Sequence, residues 1–149
     1  MFRVNRKTDY AIRVMLSLAK RPFGARLSAQ AIQAEMLIPR AILQRIIADL
    51  SRSKLVNTFP GPGGGSELAR PAATITLRNV WEAIEGPLLI SDCLNTPAEC
   101  PLDVACPVQA RWARLQSLVM NELEATTLAQ LASEAVVLSS NPAYEYRTE

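Results

Sequence analysis

One stretch constrains the fold of this chain more than any other: residues 27–56, LSAQAIQAEMLIPRAILQRIIADLSRSKLV. Ser28 is a good N-cap for a short helix over 29–35. Met36, Leu37 and Ile38 read as a turn. Pro39 then suits the first position of a second helix, where its missing N–H is not needed. In that helix Ile38, Ile42, Ile46 and Leu50 recur every fourth residue, backed by Leu43 and Ile47, so one face is apolar. Arg40, Gln44 and Ala48 lie opposite, flanked by Arg45 and Arg52. A short helix, a tight turn and an amphipathic helix make the helix-turn-helix pattern. An ordinary helical hairpin would carry the same local signals, so charge has to decide between them.

The charge is unevenly spread. Residues 1–70 hold 12 Lys/Arg against 4 Asp/Glu, whereas residues 71–149 hold 4 against 10, which splits the net +2 into +8 and −6. A basic half beside an acidic half points the first toward a polyanion. Read as a DNA reader, the second helix would enter the major groove by its N-terminal part. Arg40 and Gln44 could then reach base edges, Arg preferring guanine and Gln adenine. Arg45, Arg52 and Lys54 suit phosphates, which position without specifying. Ser28 and Gln30 could hold the backbone at the start of the preceding helix.

The flanking sequence completes the pattern. Tyr10, Ala11, Val14, Met15 and Leu18 give a first helix over 7–20 one apolar face, capped by Asn5 or Thr8. After the second helix of the motif, 55–59 reads as a strand, 60–65 as a Pro/Gly loop and 66–70 as a returning strand, a hairpin wing. The glycines lack the Gly-Lys-Ser/Thr and following helix of a phosphate loop. Gly63 and Gly64 are instead expected near a DNA backbone. Glu67 on the wing would repel phosphate unless it accepts from a cytosine amino group. Thr76 caps a helix over 77–85, with Val80, Trp81 and Ile84 facing inward. A long helix over 107–125 carries Trp112, Leu115, Leu118, Val119 and Leu123 in a stripe. In so small a chain such a late helix calls for a surface to bury against, and a matching helix of a second copy supplies one. A short helix over 126–131 follows, and residues beyond about 139 read as a frayed polar tail.

The chain's three cysteines, Cys93, Cys100 and Cys106, fall within fourteen residues, and there is no histidine. The N-terminus lacks a secretory signal and no apolar run is long enough to span a bilayer, so a cytoplasmic location is expected, away from membranes. There, clustered thiols point to a metal or to redox chemistry more than to disulfides. Iron–sulfur clusters are held by thiolates; zinc on three cysteines and a carboxylate, and loop thiols without metal, are the alternatives. An enzyme has no histidine, nucleotide motif or acid/base constellation to work with here.

The segments KTDYAIRVMLSLA, IPRAILQRIIADLSRSKLV, GPGGGSELARP, ITLRNVWEAIEGPL and the cysteine loop, in this order, resemble the bacterial iron–sulfur winged-helix transcription regulator family over nearly the whole chain. The resemblance implies a mainly α fold with a small β-hairpin. It divides the chain into a winged helix-turn-helix DNA-binding domain (1–86), a cluster loop (87–107), a dimerisation helix with a terminal short helix (108–133) and a polar tail (134–149). It also implies a homodimer on a palindromic double-stranded DNA operator. The function it implies is a repressor that senses nitric oxide, iron or redox state through a cluster on Cys93, Cys100 and Cys106. The cluster-biogenesis type completes a [2Fe–2S] site with a histidine, where this chain has Gln109. The nitric-oxide-sensitive type completes a [4Fe–4S] site with an aspartate of the partner protomer, to which Asp9 corresponds, so [4Fe–4S] is favoured. Ser66 and Glu67 replace the aromatic and basic residues that commonly follow the wing glycines. A cluster-free thiol switch of the same fold and an iron–sulfur electron carrier are the rival functions.

Overall fold

The computed structural model describes residues 3–102 and 105–141. The expected tail beyond 141 lies outside the described residues, as do Asp103 and Val104 of the cysteine loop. The order of elements is α1 (Arg6–Ala19), α2 (Ala29–Met36), α3 (Arg40–Arg52), β1 (Val56–Phe59), β2 (Gly65–Leu68), α4 (Leu77–Glu85), α5 (Gln109–Ala125) and α6 (Leu128–Ser139). This is the mainly helical fold with one antiparallel hairpin that the sequence predicts; Val56 pairs with Leu68, and Phe59 with Gly65.

Local chemistry sets the boundaries. The Asn5 side chain accepts from Lys7 N at 2.9 Å and starts α1, while Thr8, the other expected cap, is buried inside that helix and donates to Glu85 of α4. Ser28 accepts from Ala31 N at 3.1 Å and caps α2. Leu37 ends α2 in the left-handed conformation, φ 53°. Pro39 stands one place earlier than expected, as the extended residue before α3, its carbonyl accepting from Ile42 and Leu43 N. At that place too its missing N–H is harmless. Thr76 and Asn79 form a reciprocal capping box on α4. Helix α6 departs from expectation, running to Ser139 rather than ending near 131. Thr127 caps it by accepting from Gln130 N, and nothing up to Ser139 is a proline or glycine that would stop it.

The core lies where the four-residue periodicities meet. Ala11, Val14, Met15 and Leu18 of α1 pack with Ile32, Ile38, Leu43, Ile46 and Leu50 of the helix-turn-helix. Val56 and Leu68 close the wing's root, and Val80 of α4 and Leu128 of α6 complete the cluster. Helix α6 packs on α1, and its start is tied to the start of α4 by Leu128 N donating to Ile75 O and Leu77 N to Thr126 O, both 2.9 Å. Burying these side chains is the main driving force, at about 25 cal/mol per Å².

A polar clamp fixes α2 against α1. The Glu35 carboxylate accepts from Ser17 Oγ at 2.8 Å and pairs with Lys20 at 2.6 Å and Arg21 at 2.9 Å. Burial of the carboxyl pushes its pKa up, but the hydrogen bonds from Lys20, Ser17 and Arg21 and the Lys20 charge outweigh it, so the pKa lies below the usual 4.5. A folded pKa depressed below the unfolded one stabilises above the unfolded value, and that contribution is lost as pH falls through the folded value. Glu35→Gln is therefore expected to lower stability by about 1 kcal/mol at neutral pH. Its thermal midpoint should approach that of the parent only in acid, below 4.5. Melting curves across pH check this; a constant gap between the two proteins would refute it.

Candidate nucleic-acid interface and cysteine loop

Helix α3 presents one face to the core and the other to solvent. Leu43, Ile46 and Leu50 are fully buried, whereas Arg40, Gln44 and Arg45 are exposed. Among the described residues their side chains have no ion-pair or hydrogen-bond partner. Ser28 and Gln30 are exposed at the start of α2, and Lys54 is exposed just after α3 with φ 58°. Gln30, Gln33, Ala34, Leu37 and Pro39 line an open concavity beside the start of α3, and Leu37 is 82% exposed there. The expected base and phosphate readers thus lie on the solvent side of one helix-turn-helix. Arg52 differs: it pairs with Asp49, and Asp49 also pairs with Lys7 at 2.6 Å, so Arg52 has a carboxylate partner already.

The wing also differs from the sequence reading in detail. Gly63 is exposed at the tip, but the Gly64 amide donates to Gly61 O at 3.0 Å and closes the turn. Glu67 is not a bare negative charge, because Arg26 pairs with it at 3.3 Å. Sequence reasoning passed over Arg26. Its partners, Glu67 and Phe59, are distant in the chain, and only the odd–even pattern of the strands could have placed them on one face.

The segment from α4 to α5 is built of short 3-10 turns at Asp92–Leu94 and Pro97–Glu99. Cys93 sits within the first, Cys100 ends the second and Cys106 lies just before α5. All three thiols are free and half-buried. Cys93 Sγ lies 3.1 Å from Ser91 Oγ, and Gln109, at the start of α5, donates to the Cys93 carbonyl at 3.5 Å. The donor chemistry suits a thiophilic metal, but the geometry does not gather it: among the described residues no three Cys, Asp or Glu stand close enough to hold an ion. Asp9 is half-exposed and pairs with Arg13 at 2.8 Å, one helical turn on. It lines an open concavity with Arg3, Val4, Arg6 and Ile12. The expected set of Cys93, Cys100, Cys106 and Asp9 is therefore not assembled within one protomer.

Helix α5 has no buried residue. Trp112, Leu115 and Leu118 are 41%, 42% and 58% exposed, so the expected stripe exists and stands uncovered in the single protomer. No helix among the described residues is long and apolar enough to cross a membrane.

Similarity to known proteins agrees with this geometry. A Mycobacterium tuberculosis protein named as an HTH-type transcriptional regulator is 32% identical over 137 residues, which are 90% of this chain and 83% of the relative. The structure of CymR, the global cysteine regulator of B. subtilis, superposes with a TM-score of 0.70 at 26% identity, covering 90% of this chain and 98% of the other. IscR of T. potens superposes with a TM-score of 0.75 over 97% of this chain and 96% of that one; at 23% identity the likeness is one of fold. A family model described as that of iron-dependent transcriptional regulators matches residues 4–134. With its solvent-facing recognition helix and hairpin wing, the chain belongs to the Rrf2 family and is a DNA-binding transcriptional regulator, not an enzyme.

Proposed function

We propose that the protein is a homodimeric repressor whose cysteine loop holds an iron–sulfur cluster and whose operator affinity follows the state of that cluster. The observation that carries this reading is placement. The chain's only thiols lie reduced on the one segment that joins α4, which packs on α1 and α3, to α5, the helix with the uncovered face. A change in that segment can therefore reach both the recognition helix and the dimer. Cys93, Cys100 and Cys106 would hold the cluster, with Asp9 of the partner protomer as the remaining ligand; Asp9 lines an open concavity that a partner's loop could approach. Such a donor set allows either cluster, and the resemblance to the nitric-oxide-sensitive type, whose site an aspartate completes, favours [4Fe–4S] over [2Fe–2S]. When bound, the cluster supplies one iron with a hard, displaceable ligand, the point at which nitric oxide, oxygen or iron shortage acts. The residues of the chain do the rest. Asp9 must leave Arg13 to serve, and the 3-10 turns at 92–94 and 97–99 must rearrange to gather the thiolates.

Anaerobic purification with iron and sulfide assays tests this reading. The parent protein is expected to be brown, with about four irons per chain, and Cys106→Ala colourless with an operator response that no longer depends on nitric oxide or a chelator. A colourless parent, prepared with equal care, would sink it. A second reading, a cluster-free thiol switch, is favoured by one observation: the three thiols stand apart as free thiols in the described fold. The likeness to a global cysteine regulator fits that reading as well. An oxidant would then join two thiols in a disulfide, and mass spectrometry after peroxide treatment would show the loss of two hydrogens.

A further inference from the structure

The wing has no cation of its own. From Val56 to Ala69 the chain contains no Lys or Arg and one acid, Glu67. A cation reaches it from the loop before α2. Leu27 exchanges backbone hydrogen bonds with Ser66, at 2.9 and 2.8 Å, and so adds a one-residue third strand to the hairpin. In that antiparallel register Arg26 stands opposite Glu67, and Glu67 stands opposite Asn57. Side chains alternate between the faces of a strand. Val56, Ser66 and Leu68 consequently share the buried face, and Arg26, Asn57, Phe59 and Glu67 share the other.

On that outer face Arg26 is held on two sides. Its Cζ lies 3.5 Å over the centroid of the Phe59 ring, a cation–π stack, and its Nε lies 3.3 Å from Glu67 Oε2. The Glu67 side chain is 17% exposed and that of Arg26 44%, so the positive end of the pair is the outer one. Ring and carboxylate take up one face and the Nε edge of the guanidinium. The edge bearing the two terminal nitrogens has no partner among the described residues. A planar fork held by its flank is pre-organised for a phosphate, which it can bind with two parallel hydrogen bonds. Arg26 also lies two positions before Ser28, the cap of α2.

We infer that Arg26 is the wing's DNA-phosphate contact, with Phe59 and Glu67 as the residues that position it. The inference rests on the DNA-binding function and is independent of the cysteine loop. Binding to a duplex of arbitrary sequence, titrated over a range of salt with chelator and reductant present, tests it without an operator and in one state of the loop. Arg26→Gln should weaken binding at low salt about tenfold and lower the slope of log K against log salt by about 0.9 for each wing bound. Arg26→Lys should keep the parent slope, and Glu67→Gln, which leaves the cation in place without its counter-charge, should bind more tightly than the parent. A merely structural Arg26–Glu67 pair would instead lower the melting temperature of both variants alike and leave both slopes unchanged, overturning the inference. If Arg26→Gln does not fold, the other two decide: loss of slope in Arg26→Lys, or binding by Glu67→Gln no tighter than the parent, overturns it equally. Parent protein that binds no duplex at all would overturn it at its premise, whereas failure of the cysteine-loop reading would alter only titrations run without chelator.

Discussion

Leu115→Asp is expected to leave the protein monomeric and to lower its affinity for a palindromic operator by roughly 10²–10⁴-fold, the gain lost when two linked half-sites no longer bind together. The reason lies in α5. Its seventeen residues include none that is buried, yet Trp112, Leu115 and Leu118 recur at three-residue spacing and remain 41–58% exposed. Val136 and Val137 of α6 are exposed as well, at 63% and 70%. A folded monomer rarely leaves contiguous apolar surface of this kind uncovered, and a twofold pairing of α5 with its own copy covers it with a self-complementary surface. A carboxylate at the centre of that seam would be desolvated without a partner, at a cost of several kcal/mol. Because α5 contributes nothing to the protomer's buried core, the variant should keep its secondary structure and its weak half-site binding. Light scattering after size-exclusion chromatography gives the mass directly. A Leu115→Asp protein that remains dimeric would place the interface elsewhere and leave the α5 face without a role.

The parts of this fold that the sequence made legible are those in which cause and effect lie within one turn of chain. Ser28 caps α2 because its hydroxyl reaches an amide three residues on. The 38–50 stripe becomes core because four-residue spacing puts those side chains on one side of α3. The Asp9–Arg13 pair is equally local, an ion pair between residues one helical turn apart. Where several weak signals compete, the boundary moved: Pro39 serves just outside α3 as readily as just inside it, and α6 continued because no residue before Ser139 stops it. What the sequence hid is what tertiary register creates. Arg26, Phe59 and Glu67 meet only because Leu27 joins the hairpin at Ser66. The cysteines were found by spacing alone, but spacing does not set the path of a loop made of 3-10 turns, so their positions in that loop were not legible.

Gly65→Ala should be among the most damaging single substitutions in the DNA-binding half, destabilising by roughly 3–5 kcal/mol and disabling the wing. Gly65 has φ +133°, a conformation that side-chain-bearing residues rarely adopt, and a Cβ there would lie 2.7 Å from the carbonyl carbon of Leu27 and closer still to its oxygen. Those atoms are backbone, held by the Leu27–Ser66 hydrogen bonds, so they cannot yield as a flexible side chain would. Relief requires the Leu27 strand to part from β2. That movement separates Arg26 from Glu67 and Phe59, so the variant should also lose about 0.9 of salt slope in duplex binding for each wing bound. Gly61→Ala is the matched control. It too has a positive φ, +79°, but its Cβ would meet nothing within 4 Å, so it should cost only about 1 kcal/mol of conformational strain and keep the parent slope. Urea unfolding and duplex titration of the two variants separate strain from steric conflict. If both lose the same small stability and both keep the slope, then the wing does not seat against Leu27, and the placement of Arg26 on its outer face fails with it.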